Sequence, residues 1–225
     1  LRDVLRLHSE LARMITQQIK VTLTPQEQAR IVEARPINPE AYEAYLKGCY
    51  YWNKRTEPEV KKGIEYFQKA IDEDPAYAPA YAGLADCYNL LGTVMVGSQP
   101  PAEAKRQATA AATKALQIDS GLAEAHASLA YVRLFDWDWT AAEQELKRAI
   151  DLNPSYATAH LWFGHYLAAM GRLEEALTEV NRARDLDPLS LNINTSVGWM
   201  LQFARRYDQA IQQYRKTLEI DPNFV

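Results

Sequence analysis

The sequence predicts an all-α chain, a right-handed α-solenoid of about five helical hairpins with extra helices at its N-terminus. Three observations carry this: an Asn-Pro or Asp-Pro dipeptide returning at a near-constant interval, two apolar stripes of helical period in each interval, and small residues at matching places in the copies. Pro154, Pro188 and Pro222 each follow Asn or Asp and stand 34 residues apart. Counting back 34 from Pro154 reaches Ser120 behind Asp119, a degenerate copy. Pro75 lies 45 before Ser120, which is 34 plus an insertion of 11, and Pro39 lies 36 before Pro75. Self-similarity at such a period marks an array in which each hairpin buries its apolar stripe only against its neighbours. The composition permits it. Hydrophobic residues make up 48% of the 225, enough for a continuous core, while 9 Gly and 11 Pro are too few for a low-complexity chain.

Residues 1–36 read as a helical linker or cap. Leu7, Leu11, Ile15 and Ile19 form one stripe at helical spacing over residues 3–20. Thr24 and Glu27 have the spacing of a second helix start, and residues 34–39, with Pro36 and Pro39, make a rigid connector. Two roles fit: a coupling or dimerisation helix, or a cap over the first hairpin.

The array then occupies residues 37–225, in units 37–74, 75–119, 120–153, 154–187 and 188–221. In the first unit, Thr56-Glu57-Pro58-Glu59 has capping-box spacing at the start of the second helix. In the second, the insertion over residues 92–102 reads either as a lip on one groove edge or as a plain connector. In the third, Asp136-Trp137-Asp138-Trp139 falls at the turn between helices. Asp138 is expected to cap the second helix and Trp139 to pack, the alternative being a carboxylate pair of Asp136 and Asp138. In the fourth, Pro154 is expected to open the first helix, where its missing N–H costs nothing. Gly171 should end that helix with positive φ, and Glu174 and Glu175 complement the start of the next. In the fifth, Ile211, Tyr214 and Leu218 mark a helix face with no later unit in the sequence to cover it.

Small residues stand where helices must approach: Ala85, Ala130, Gly164 and Gly198 on first helices, and Gly63, Ala108, Ala142, Ala176 and Ala210 on second helices. Phe67, Leu146, Val180 and Tyr214 are of a size to fill the opposing holes. With the closing proline as position 32, the second unit places Tyr81, Leu84, Ala85, Tyr88, Ala108, Ala112 and Ala115 at positions 4, 7, 8, 11, 20, 24 and 27. Later units keep the pattern, with His126 and His160 at position 4; Asn194 there departs most. This pattern resembles the tetratricopeptide repeat family over residues 37–225. Residues 45–58, 74–92, 135–150 and 187–199 look like the repeat tails of bacterial signalling proteins, namely winged-helix regulators, Ser/Thr kinases and adenylate-cyclase-like proteins. Beginning at Leu1 and stopping after a helix-start signal, the sequence reads as a piece of such a protein, with the regulatory role in the parent.

No catalytic or metal site is expected, and no cofactor. His8, His126, His160 and His165 form no metal-binding pair, since His160 and His165 are five apart on different helix faces. Cys49 and Cys87 read as two buried thiols. The resemblance implies instead a concave wall made by the first helices. Its groove-facing positions carry Tyr50, Asp86, Tyr131, His165 and Trp199, one per unit, with Asn89, Phe135, Gln202 and Phe203 a turn further on and Leu161 beside them. That set is aromatic and amide-rich. It lacks the Lys, Asn and Arg with which chaperone-binding members hold a terminal carboxylate. It implies a protein or peptide segment held by stacking and amide hydrogen bonds, unless the aromatics only fill a closed superhelix.

The expected function is therefore a non-catalytic interaction module of a bacterial signalling or transcription regulator. Two alternatives stay open: a small-ligand sensor, and a dimerisation module acting through the N-terminal helix or the fifth-unit end. A net charge of −4 gives no footprint for nucleic acid. No apolar run reaches membrane-spanning length. The expected compartment is the cytoplasm, or the periplasm if the parent is membrane-anchored.

Overall fold

The computed structural model describes residues 38–93 and 96–222; the N-terminal helices expected over residues 1–36 lie outside the described residues. Ten helices and no strand occur among those described. They pair as five hairpins: α1 (Pro39–Trp52) with α2 (Glu57–Glu73), α3 (Ala78–Leu91) with α4 (Pro101–Ile118), α5 (Ala123–Phe135) with α6 (Trp139–Leu152), α7 (Ala157–Ala169) with α8 (Leu173–Leu186), and α9 (Leu191–Phe203) with α10 (Tyr207–Ile220). Each hairpin packs on the next in chain order, and the first helices α1, α3, α5, α7 and α9 also touch in succession, forming one wall of the solenoid. The sandwiched first helices are buried nearly all round, as in α7, where Ala159 to Leu167 includes seven buried residues.

The same device ends every second helix. Asp74, Asp119, Asn153, Asp187 and Asp221 are the C-caps, with φ between −145° and −137°, and each still donates its N–H to the carbonyl four residues back. Proline after the cap favours that extended backbone, yet Asp119 adopts it with Ser120 following. The side chains of Asp74, Asp119 and Asn153 then accept from the N–H two residues on, at 2.9–3.1 Å. This corrects the expectation for Pro154, which does not open α7 but stands in the turn before it, Tyr156 N donating to Asn153 O at 3.0 Å. Only Pro39 opens a first helix, behind Asn38, whose side chain accepts from Glu40 N and Ala41 N. The capping box at Thr56 is also incomplete: α2 starts where expected, without a side-chain cap bond.

The first helices α5, α7 and α9 end in a left-handed residue. Gly171 has φ 75° as expected, and Trp137 and Arg205, 34 residues to either side, have φ 63° and 59°. The following N–H of Asp138, Arg172 and Arg206 reaches back five residues to Arg133 O, Leu167 O and Leu201 O at 2.8–3.1 Å, which satisfies an orphan helix carbonyl. Asp138 then caps α6, accepting from Ala141 N at 3.2 Å.

Within a hairpin, size complementarity sets the approach. A Cβ on Gly48 would stand 2.6 Å from the Phe67 ring, and one on Gly164 2.5 Å from Val180 Cγ1. Position 4 adds a polar tie. Tyr81 OH, His126 Nε2, His160 Nε2 and Asn194 Nδ2 bond the carbonyls of Pro75, Ser120, Pro154 and Pro188 at 2.9–3.2 Å. His126 and His160 also meet Glu145 and Glu179 through Nδ1 at 2.6 and 2.7 Å, and Asn194 accepts from Gln213 at 3.0 Å. Asn194, the apparent departure, thus does the work of its histidine counterparts.

The buried core falls into two main clusters. One runs from Ala44 to Ala112 around Phe67, the other from Ala123 to Met200 around Leu146, Leu161 and Leu167. Ala82, Ala115 and Ala125, on α3, α4 and α5, form a third, small cluster. Here α4 offers Ala112 where other hairpins carry Phe67, Leu146, Val180 or Tyr214, so its apolar bulk is small.

Candidate partner-binding groove

On the wall of first helices, position 9 of one unit faces position 6 of the next, and the side chains available there decide whether the site is open or closed. Asp86 accepts from Ser128 Oγ at 2.5 Å, and Asn89 Nδ2 donates to Ser128 O at 3.1 Å. Both are buried, so they tie α3 to α5 rather than face solvent. Burial pushes the Asp86 carboxyl up to about 7, with the Ser128 bond and the Arg55 charge pulling the other way. Tyr131 packs on Trp162, ring centroids 4.8 Å apart. His165 Nε2 meets Ser196 Oγ at 3.2 Å, and burial lowers its pKa to about 4, so the ring is neutral at physiological pH.

The other candidate residues divide similarly. Tyr50 is 58% exposed and packs edge-on against Tyr51 instead of joining the wall's interior. Leu161, 1% exposed, belongs to the core, because the preceding first helix covers its position; Leu46, at the same register in the first unit, is 44% exposed. Gln202 accepts from Tyr214 OH at 3.0 Å, a tie between α9 and α10. Tyr131, Phe135, His165, Trp199 and Phe203 come together. They line a groove of about 520 Å³ with Leu134, Trp137, Trp139, Ala168, Ala169 and Met200. Phe135 tilts against Tyr131 at 4.9 Å, and Trp199 lies 6.3 Å from the His165 ring.

Trp137 and Trp139 enter this groove from the turn between α5 and α6, their rings edge-on at 5.3 Å. Trp137 is 76% exposed. Helix register did not assign it to the wall, but its alignment with Gly171 was a usable signal: a left-handed residue in that turn carries its side chain off the helix path. None of the lining residues comes from the insertion over 92–102, which in its described part connects α3 to α4, with Gln99 N donating to Leu91 O. The lining holds no Lys, Arg, Asp or Glu, and its one imidazole, His165, is neutral. A cavity of that size and chemistry accepts bulky apolar or aromatic groups, with Trp and His ring nitrogens as the polar handles.

Comparisons with known proteins agree with this architecture. Two family models described as tetratricopeptide repeat match residues 138–193 and 191–224. A thermophilic repeat protein of this type from Thermus thermophilus superposes with TM-score 0.63 at 19% identity, over 81% of this chain and 92% of that one. A Pseudomonas aeruginosa structure described as pilF gives TM-score 0.52 at 21% identity, over 80% and 76%. Among curated proteins, the transcriptional regulator HilA of Salmonella typhimurium is 26% identical over 133 residues, 59% of this chain. The chain spans only 24% of that relative's length. Residues 138–224 thus match the tetratricopeptide repeat family, and the hairpins of residues 38–137 repeat the geometry of the matched units.

Proposed function

We propose that this chain is a non-catalytic interaction module of a bacterial signalling or transcription-regulatory protein, holding a partner segment in the groove of its last three hairpins. Repeat arrays of this family are interaction scaffolds, and the finer reading rests on one observation. Tyr131, Phe135, Trp137, Trp139, Trp199 and Phe203 converge on one open, uncharged groove. Aromatic residues left exposed in a concavity, with the core already filled beneath them, fit a surface kept for a partner. The likeness to HilA supports a regulatory parent, and the cytoplasm is the compartment that reading proposes. No helix of the described residues is long and apolar enough to cross a membrane.

Selection of displayed random peptides on the immobilised protein tests the groove. Enriched sequences are expected to be rich in aromatic and aliphatic residues, and Tyr131→Ala with Trp199→Ala is expected to weaken them about tenfold or more, at unchanged helicity. Peptides that bind the double variant as well as the parent protein would remove the reading. A second reading has its own observation. Ile211 and Leu218 on α10 are 49% and 46% exposed, with Tyr207 beside them, whereas Tyr214 turns inward over Gly198. Concentration-dependent dimers in sedimentation, abolished by Ile211→Lys, would support dimerisation through that face; a monomer at all concentrations would exclude it.

A further inference from the structure

Six aromatic side chains line the groove of the last three hairpins, and ring faces are not indifferent to charge. An aromatic ring carries a negative face and a positive edge, so a face left open to solvent attracts a cation. The cation–ring contacts among the described residues all lie in the first hairpin. Lys47 stands over Tyr66, Lys54 over Tyr50, Arg55 over Trp52 and Lys62 over Tyr51, at 3.8–5.9 Å from the ring centroids. The groove has no such cation of its own, since its lining holds no Lys or Arg.

The corner formed by Trp137 and Trp139 is the place best shaped to take one. Their rings stand at 89° to each other, with centroids 5.3 Å apart. A group seated in the angle of that T touches a face of each indole. Trp137 is 76% exposed, so a cation there keeps water on its outer side while its stem lies in the groove. The carboxylates on either side of Trp137 are already engaged. Asp136 pairs with Lys105, and Asp138 accepts from Ala141 N with the Arg133 guanidinium 4.0 Å away. Attraction at this corner therefore falls to the ring faces.

We propose that the Trp137–Trp139 corner receives the guanidinium of an arginine on the partner segment, whose apolar side chains fill the rest of the groove. Arginine suits the corner better than lysine. Its guanidinium is planar, stacks on an indole face and is more weakly hydrated than an ammonium. The same pairing occurs within this chain, where Arg55 Cζ lies 3.8 Å from the Trp52 ring centroid. A carboxylate in the corner would instead meet negative ring faces. The arginine site rests on the groove reading above, but its preference for charge is measured apart from it.

Calorimetric titration of a matched pair tests this: Ac-Leu-Arg-Leu-Phe-amide against its twin with citrulline, which keeps the planar head and stem of arginine and drops the charge. The arginine peptide is expected to bind about threefold or more tighter than its twin, at low and high salt alike. Trp137→Gly and Trp139→Leu copy Gly171 and Leu173, which stand at the equivalent places of the fourth hairpin. Each should bring the arginine peptide to the level of its twin at unchanged helicity; if one loses helicity, the other decides. Equal binding of the twins, a preference that a folded variant keeps or that high salt abolishes, or no saturable binding of either peptide overturns the proposal. Equal binding that Trp199→Ala abolishes keeps the groove and removes the arginine site. A charge preference that Trp137→Gly removes, at an affinity that Trp199→Ala leaves unchanged, keeps the arginine site and removes the groove.

Discussion

Asn194 shows how one residue type can replace another when the geometry is the thing preserved. Its amide reaches Pro188 O and Ser190 O at 2.9 Å and accepts from Gln213. His126 and His160 join the corresponding carbonyl to Glu145 and Glu179. Amide with amide and imidazole with carboxylate are each self-consistent pairs; mixing them is not. Asn194→Ala should therefore cost about 1–3 kcal/mol, chiefly by stranding the buried Gln213 amide. Asn194→His alone should also destabilise, while Asn194→His with Gln213→Glu should recover most of the loss. A double-mutant cycle from urea unfolding measures this, and strictly additive changes would count against the pairing. Asn194 looked like a departure in the sequence because residue type was legible there and bonding geometry was not.

At the scale of the helix, the hairpins depend on glycine or alanine facing one large side chain. At Gly164 the backbone stands close as well: its added Cβ would meet Val180 Cγ1 at 2.5 Å and the Ala176 carbonyl at 3.2 Å. Gly164→Ala should destabilise by about 1–3 kcal/mol despite the higher helix propensity of alanine, because backbone as well as side chain blocks it. Pairing it with Val180→Ala should restore part of the loss, read as the shift in urea midpoint. These contacts were legible in the sequence, since the large residue recurs at fixed register in four of the five copies, as Phe67, Leu146, Val180 and Tyr214. Helix ends were less so. In the sequence Pro154 reads as a helix opener, whereas Pro154 and Pro188 both follow an extended C-cap and stand first of the three turn residues before the next helix. The 34-residue period reports that a boundary exists, but not on which side of it the proline falls.

Across the whole molecule, the wall of first helices is closed in one part and open in another, and the sequence did not distinguish the two. Position 9 looked equivalent in all five units. Its state depends on position 6 of the following unit, more than 30 residues away: Ser128 closes over Asp86, Ser196 meets His165, and Trp162 supports Tyr131. Such pairs lie outside the repeat motif, so a motif-based reading spreads the groove evenly along the array. The structure instead gathers its open aromatic lining in the last three hairpins. The most direct test uses the five tryptophans as reporters, by following their indole N–H resonances while a peptide selected on the protein is added. Trp137, Trp139 and Trp199 line the groove, Trp162 is buried beneath Tyr131, and Trp52 lies beside Arg55. Binding in the groove should move the first three resonances together, saturably, at the affinity measured by calorimetry. Saturable binding that leaves those three signals in place would contradict the account.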